Sequence, residues 1–91
     1  MVRVFVLYAE APDPERYEEH VELCRREVPQ ATIRHGKVFG SPSGDSDVAY
    51  YFEFEFAGRE EFKEAGPGLQ RTAEHAQELA VPLRVYFANV E

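Results

Sequence analysis

The sequence has little of several features that mark particular classes of protein. Its single cysteine, Cys24, cannot form an intramolecular disulfide, which is typical of a protein in a reducing cytoplasm. The longest unbroken apolar run, Val4–Ala9, is too short to span a bilayer, and no basic start followed by an apolar segment indicates a signal peptide. We therefore expect a cytoplasmic protein with no membrane partner.

Positive charge is also scarce. Lysine and arginine together number 10 against 17 aspartate and glutamate residues, so the formal net charge at pH 7 is -7. Nucleic acids and anionic membrane surfaces repel a chain of this charge. The charge balance therefore predicts no nucleic-acid partner.

Motifs for cofactors, metals and known reactions are lacking as well. The glycines fit neither a dinucleotide-binding pattern nor a phosphate loop. His20 and Cys24 are spaced by one helical turn, but two ligands are too few for a tetrahedral metal site. We expect no metal and no cofactor, and no catalytic signature identifies a reaction.

The length and the composition indicate one folded domain. The chain has 91 residues, of which 44% are hydrophobic, 30% charged and 13% aromatic. These proportions are typical of globular proteins, and the length is too small for two hydrophobic cores. We expect a single domain that covers residues 1–91.

Four segments have the composition of β-strands. The run Val2–Ala9 is rich in β-branched and aromatic residues, and Val48–Phe56 alternates between an apolar row and a mixed row. Thr32–Gly40 is of mixed polarity, which favours a position at the sheet edge, and Leu83–Val90 forms the last strand.

Two regions have helical spacing. Asp13 and Pro14 are a good N-cap and first helical residue for a helix that continues to about Val28. The second region follows Gly58, and Pro67 interrupts it because proline clashes with the preceding helical turn. The spacing predicts two short helices or one kinked helix, with Pro67 near the start of the second part.

The order of these elements predicts an α+β protein of the ferredoxin-like plan, β-α-β-β-α-β, with a four-stranded antiparallel sheet and the helices on one face. Both side-chain rows of the first strand are largely apolar, which is typical of a strand covered on both faces. The helices cover only one face. We therefore expect a homodimer in which two sheets pack face to face.

Two glutamates, Glu53 and Glu55, belong to the mixed row of the third strand, which would face the dimer interior. Buried carboxylates need partners or become protonated. A structural ion pair with a strand arginine is the favoured interpretation, and a base of raised pKa is the alternative. The candidate partners are Arg3, Arg34, Lys37 and Arg84.

The chain resembles the EthD-like group of the dimeric α+β barrel superfamily over nearly its whole length. The resemblance rests on an ordered set of segments: Val4–Tyr8, Asp13–Glu15, Tyr17–His20, Lys37–Gly40, the aromatic third strand that ends at Phe56, and the break Gly66–Gly68. It implies a homodimeric barrel with a cavity in each subunit's half.

This resemblance leaves two functions open. Relatives include cofactor-independent monooxygenases that act on polycyclic aromatics, lactone isomerases and small proteins with no assigned reaction. The first hypothesis is an accessory protein of a degradation or biosynthesis pathway that binds a small hydrophobic or aromatic compound. The alternative is a cofactor-independent monooxygenase or isomerase with a His or Glu base. An interaction module that only dimerises is a third possibility.

The candidate catalytic residues are His20, His35 and Glu53. His20 lies at the margin of the apolar stripe of the first helix, where it could act as a general base or remain a boundary residue. His35 could polarise a carbonyl if its side of the strand at 32–40 faces the cavity, and the sequence does not decide which side does. His75, on the second helical region, is expected to be solvated.

The candidate ligand-binding residues are aromatic. Tyr8 and Tyr51 would either be core residues or contribute a hydroxyl to a ligand. Phe5 belongs to the row of the first strand that we expect to line an apolar cavity.

Overall fold

The computed structural model describes residues 1–91 and confirms the predicted α+β, ferredoxin-like plan. Four antiparallel strands form one sheet in the order β2-β3-β1-β4, so β2 and β4 are its edges. In chain order the elements are β1 (Val2–Tyr8), α1 (Pro14–Glu27), β2 (Thr32–Lys37), β3 (Tyr50–Phe56), α2 (Arg59–Glu64), α3 (Gly66–Gln77) and β4 (Leu83–Asn89).

The β2–β3 hairpin is shorter than the sequence predicts. Beyond Lys37 the ladder continues by one hydrogen bond, in which the Val38 amide donates to the Ala49 carbonyl at 2.8 Å. The chain then turns between Ser41 and Gly44, which donate backbone hydrogen bonds to each other. Gly44 has a φ of 101°, a conformation that favours glycine. This local turn ends both strands early.

The helix boundaries follow the predicted signals. The Asp13 side chain accepts a hydrogen bond from the Arg16 amide, which caps α1. Ala65 ends α2 and precedes α3, and Pro67 lies in the first turn of α3, as predicted. Gly68 contacts the backbone carbonyl of Glu27, so a larger residue would push α3 away from α1. No helix in the structure has both the length and the apolar content that crossing a bilayer requires.

The core lies between the helices and one face of the sheet. Alternate residues of β1 and β3 face the helices, which confirms that the apolar row of the third strand lies beneath them. The buried cluster comprises Val2, Val4, Val6, Tyr8, Phe52, Phe54 and Phe56 from the sheet, Tyr17, Val21, Cys24 and Val28 from α1 and its end, and Ala65 and Leu79. The opposite row is half-buried on β1 and β3 and mostly exposed on the edge strands β2 and β4, and we call this side of the sheet the open face.

Candidate functional site

A cavity of about 270 Å³ lies between α3 and the helix-facing side of the sheet. Eleven of its 14 lining residues are hydrophobic, and the three others are His20, Thr72 and Gln77. The hydrophobic lining comes from β1, β3, β4 and their neighbours on α3: Val4, Val6, Tyr8, Phe52, Phe54, Leu69, Ala73, Ala76, Leu83, Val85 and Phe87.

The position of α3 explains why this space exists. The contact of Gly68 with Glu27 and an ion pair between Arg71 and Glu27, 2.6 Å long, hold α3 against α1. The helix layer therefore leaves β4 incompletely covered. Val85 and Phe87 lie on the helix-facing row of β4, yet they are 47% and 68% exposed. The cavity opens along this edge.

His20 lines the cavity and is only 3% exposed. Its Nδ1 lies 2.9 Å from Nδ1 of His75, and its Nε2 lies 3.5 Å from Sγ of Cys24. Burial, together with the nearby His75, lowers the pKa of His20 to about 4. Its imidazole is therefore neutral at pH 7, and both nitrogens have protein partners.

The structure corrects the expectation that His75 is solvated. Its ring is half-buried against His20, and its Nε2 lies 3.6 Å from a carboxylate oxygen of Glu78. His75 follows Thr72 by three residues and precedes Leu79 by four, and both of these are buried. This spacing is the sequence signal that could have placed His75 on the side of α3 that faces α1.

Tyr8 lies on the cavity wall, and its hydroxyl is buried without a hydrogen-bond partner in the protein. The hydroxyl of Tyr17 is likewise buried without a partner. The Tyr17 and Tyr8 rings pack edge to face, with their centroids 6.0 Å apart. Burial is the main cause that raises the pKa of Tyr8, and it raises the pKa of Tyr17 to about 12. Both phenols are therefore protonated at neutral pH.

Three predicted site residues lie away from the cavity. Phe5 pairs with Glu53, and Leu7 pairs with Tyr51, in the row that forms the open face. Because side chains alternate along a strand, Phe5, Tyr51 and Glu53 point away from the helices. Within one chain they therefore do not line the cavity that contains His20. Tyr51 instead covers Gly36, where an added Cβ would come within 2.9 Å of the Tyr51 ring.

Glu55 forms the ion pair that the sequence predicts for a strand glutamate. One carboxylate oxygen lies 2.9 Å from Nη2 of Arg3 and 3.1 Å from Nη1 of Arg34. Desolvation alone would raise the pKa of Glu55, but the hydrogen bonds from Arg34 and Arg3 outweigh it and lower that pKa. Glu55 therefore belongs to a charged network on the open face and is not a carboxylate of raised pKa.

His35 lies on the row of β2 that faces the helices, opposite Phe52. This register settles which row of β2 faces the helices. The His35 side chain is nevertheless exposed, and it borders a shallow groove with Tyr17 and Val21 of α1 rather than the cavity. Partial burial, and secondarily Arg25, lower its pKa. His20 and His35 thus do not act on one site.

No three His, Cys, Asp or Glu side chains converge in a way that could hold a metal ion. Cys24 is buried, and burial raises the pKa of its thiol to about 12. The site is therefore an apolar cavity with the neutral imidazole of His20 at its wall.

Neither a protein-family model nor a curated protein matches the chain. Solved structures do match it. An ethyl tert-butyl ether degradation (EthD) family protein from Bacillus halodurans is 19% identical with a TM-score of 0.77, and the match covers 100% of this chain and 99% of the other. The chain shares its fold with EthD-family proteins. This confirms, at the level of the fold, the resemblance predicted from the sequence.

Two further structures share this EthD-like fold. A dimeric ferredoxin-like protein of unknown function from Jannaschia sp. is 17% identical with a TM-score of 0.73, over 98% of each chain. SnoaB, a cofactor-independent oxygenase from Streptomyces nogalater, is 17% identical with a TM-score of 0.58, over 98% of this chain and 90% of the other. The EthD-like fold therefore occurs both in an oxygenase and in a protein of unknown function.

Proposed function

We propose that this protein binds a small, neutral hydrophobic or aromatic compound in the cavity beneath α3, as an accessory protein of a degradation or biosynthesis pathway. The cavity itself carries this proposal. An apolar cavity of about 150 Å³ is large enough to take up benzene, so about 270 Å³ accommodates a compound of one or two rings. Its lining, with few polar groups among many apolar ones, is typical of small-molecule sites.

A cavity-filling variant tests this proposal. Ala73 lies at the exposed side of α3 and lines the cavity, so Ala73→Leu adds volume there with little strain on the core. We expect the variant to weaken binding of naphthalene at least tenfold. The sequence contains no tryptophan, so naphthalene fluorescence can be followed directly.

Ala57→Leu is the matched control, because Ala57 is exposed at the end of β3 and lines none of the cavities described here. This variant is expected to bind naphthalene as the unsubstituted protein does. Equal affinity in both variants, or no binding to any of the three proteins, would contradict the proposal.

The proposal includes a homodimer formed through the open face. Phe5, Leu7 and Tyr51 are only half-buried there, and Tyr86 of β4 is 49% exposed. Burial of such side chains contributes roughly 1.5–3 kcal/mol each. The protein from Jannaschia sp., described as dimeric, supports a dimer for a chain of the same fold.

A cofactor-independent oxygenase or isomerase is the second candidate. It is favoured by the position of His20, a neutral imidazole at the cavity wall, and by the similarity of the fold to SnoaB. However, a pKa of about 4 makes His20 a weak base at neutral pH, and both of its nitrogens already have partners. His35 and Glu53 lie outside the cavity. Binding is therefore the better supported function.

A further inference from the structure

The two imidazoles of His20 and His75 meet edge to edge. Their planes are parallel within 1°, and their centroids are 5.1 Å apart, whereas the two Nδ1 atoms are 2.9 Å apart. The centroid separation exceeds the nitrogen separation by about two ring radii, so the rings lie in a common plane rather than one above the other. An in-plane contact of 2.9 Å is a hydrogen bond, and it needs one protonated and one unprotonated Nδ1.

The groups at the two ends of the pair determine which nitrogen holds the proton. Nε2 of His75 faces the carboxylate of Glu78 at 3.6 Å, which favours a proton on that nitrogen. In a singly protonated His75 ring, Nδ1 is then the acceptor. Nδ1 of His20 is then the donor. Nε2 of His20 is unprotonated and faces the Cys24 thiol, which is protonated and can donate to it.

We infer that His75 is a positioning residue that holds His20 in its Nδ1–H form, so that the cavity presents hydrogen-bond acceptors and selects neutral aromatic ligands that donate a hydrogen bond, such as phenols. This inference rests on the proposed function. A ligand hydroxyl replaces the weak thiol contact at Nε2 of His20. Thr72 donates its proton to the Leu69 carbonyl at 2.7 Å and also keeps only acceptor capacity. The unpartnered Tyr8 hydroxyl on the cavity wall can accept a proton from the ligand hydroxyl or donate one to its oxygen, so a phenol can use both of its hydrogen-bonding functions there.

The charge of the lining supports the same ligand class. None of the 14 lining residues is a lysine, an arginine or a carboxylate. An anionic or cationic ligand would lose its hydration without a compensating partner. The free energy of this desolvation exceeds the free energy that the apolar contacts contribute. The cavity therefore favours a neutral hydroxyl-bearing compound over a carboxylate or an amine.

Three naphthalene probes test the selection. We expect 1-naphthol to bind about fivefold more tightly than 1-methoxynaphthalene or naphthalene, which corresponds to one net hydrogen bond. His75→Phe removes the acceptor for Nδ1 of His20, and we expect the preference to fall below twofold. His35→Phe is the control, because His35 does not line the cavity, and it is expected to keep the preference.

The tautomers can be observed directly by long-range 1H–15N correlation NMR at pH 7. We expect His20 to be protonated at Nδ1 only and His75 at Nε2 only, and we expect His75→Phe to abolish the pure Nδ1–H form of His20. Protonation of His20 at Nε2 in the unsubstituted protein would overturn the inference. Equal binding of the three probes would overturn the selection alone, whereas no binding of any probe would overturn the proposed function and the selection with it.

Discussion

His20 can carry a charge, yet it is almost excluded from water, so its protonation is linked to folding. Its pKa is about 4 in the folded protein and about 6.5 in an unfolded chain. Folding therefore favours the neutral form. His20 contacts His75, and the charged or titratable groups around these two side chains come from several elements. They are Cys24 of α1, Glu78 after α3, and Arg16 and Glu19 at the cleft beside His75.

This linkage predicts acid destabilisation. Stability is fully present above about pH 6.5 and falls as the pH drops towards 4, with a total loss of about 3 kcal/mol in the free energy of unfolding. Urea unfolding at pH 7.5, 5.5 and 4.5 measures it. The lowered pKa of Glu55 acts at lower pH, because a carboxylate loses its contribution only as the pH falls through its folded pKa. His20→Met should lose most of this pH dependence between pH 6.5 and 4.5, and the lowered pKa of His35 accounts for a smaller remainder. Equal pH dependence in the variant and in the unsubstituted protein would contradict the role of His20.

Single residues differ in how far the sequence could predict them. His20 stands beside the apolar stripe of its own helix, so periodicity alone made it a candidate. Its partner His75 lies 55 positions further along, and only the packing of α3 on α1 brings the two together. Phe5 was assigned to a cavity because its row of β1 is apolar, but apolar character does not show which face of the sheet contains the open space.

At the scale of elements, the close approach of α3 to α1 depends on Gly68. A Cβ there would collide with the carbonyl of Glu27, whereas a Cβ on Gly66 would meet nothing within 4 Å. The two glycines lie in the same turn of one helix, so they form a matched pair.

We predict that Gly68→Ala destabilises the protein by about 1–3 kcal/mol, because the helices must separate. Gly66→Ala should leave stability unchanged or raise it by up to about 1 kcal/mol, since alanine favours helix. Thermal unfolding of both variants provides the measurement. Comparable melting temperatures for the two variants would show that the contact between α3 and α1 is not tight.

The sequence predicted the elements themselves well. Alternation placed Phe52, Phe54 and Phe56 under the helices, and Pro67 marked the break between α2 and α3. The ends of β2 and β3 were less predictable, because the turn at Ser41–Gly44 closes by local backbone bonds that no apolar pattern encodes. The cavity was also unpredictable, since it results from where α3 lies over the sheet.

At the scale of the whole molecule, the open face is the surface that the chain leaves half-covered. Leu7 lies near its centre between Tyr51 and Arg84, its register partners on β3 and β4. A charge at this position would have to be buried in the proposed dimer, which is costly without a partner.

We predict that the chain, with a mass of 10.4 kDa, forms a particle of twice that mass and that Leu7→Glu converts it to a monomer. Light scattering during gel filtration at about 50 µM measures the mass. Gln70→Glu adds the same charge on the exposed side of α3 and should remain dimeric. A monomeric mass for the unsubstituted chain would contradict the proposed dimer. It would not contradict the proposed cavity, which lies within one chain.

The location of a bound aromatic probe distinguishes the cavity beneath α3 from the open face as the binding site. Val6 and Leu7 are neighbours on β1 whose side chains point to the cavity and to the open face, respectively. In NMR spectra of the protein with naphthalene, we expect nuclear Overhauser effects from the ligand to the methyl groups of Val4, Val6 and Val85 and none to Leu7. Contacts to Leu7 without Val6, or no contacts at all, would contradict the assignment of the cavity beneath α3 as the binding site.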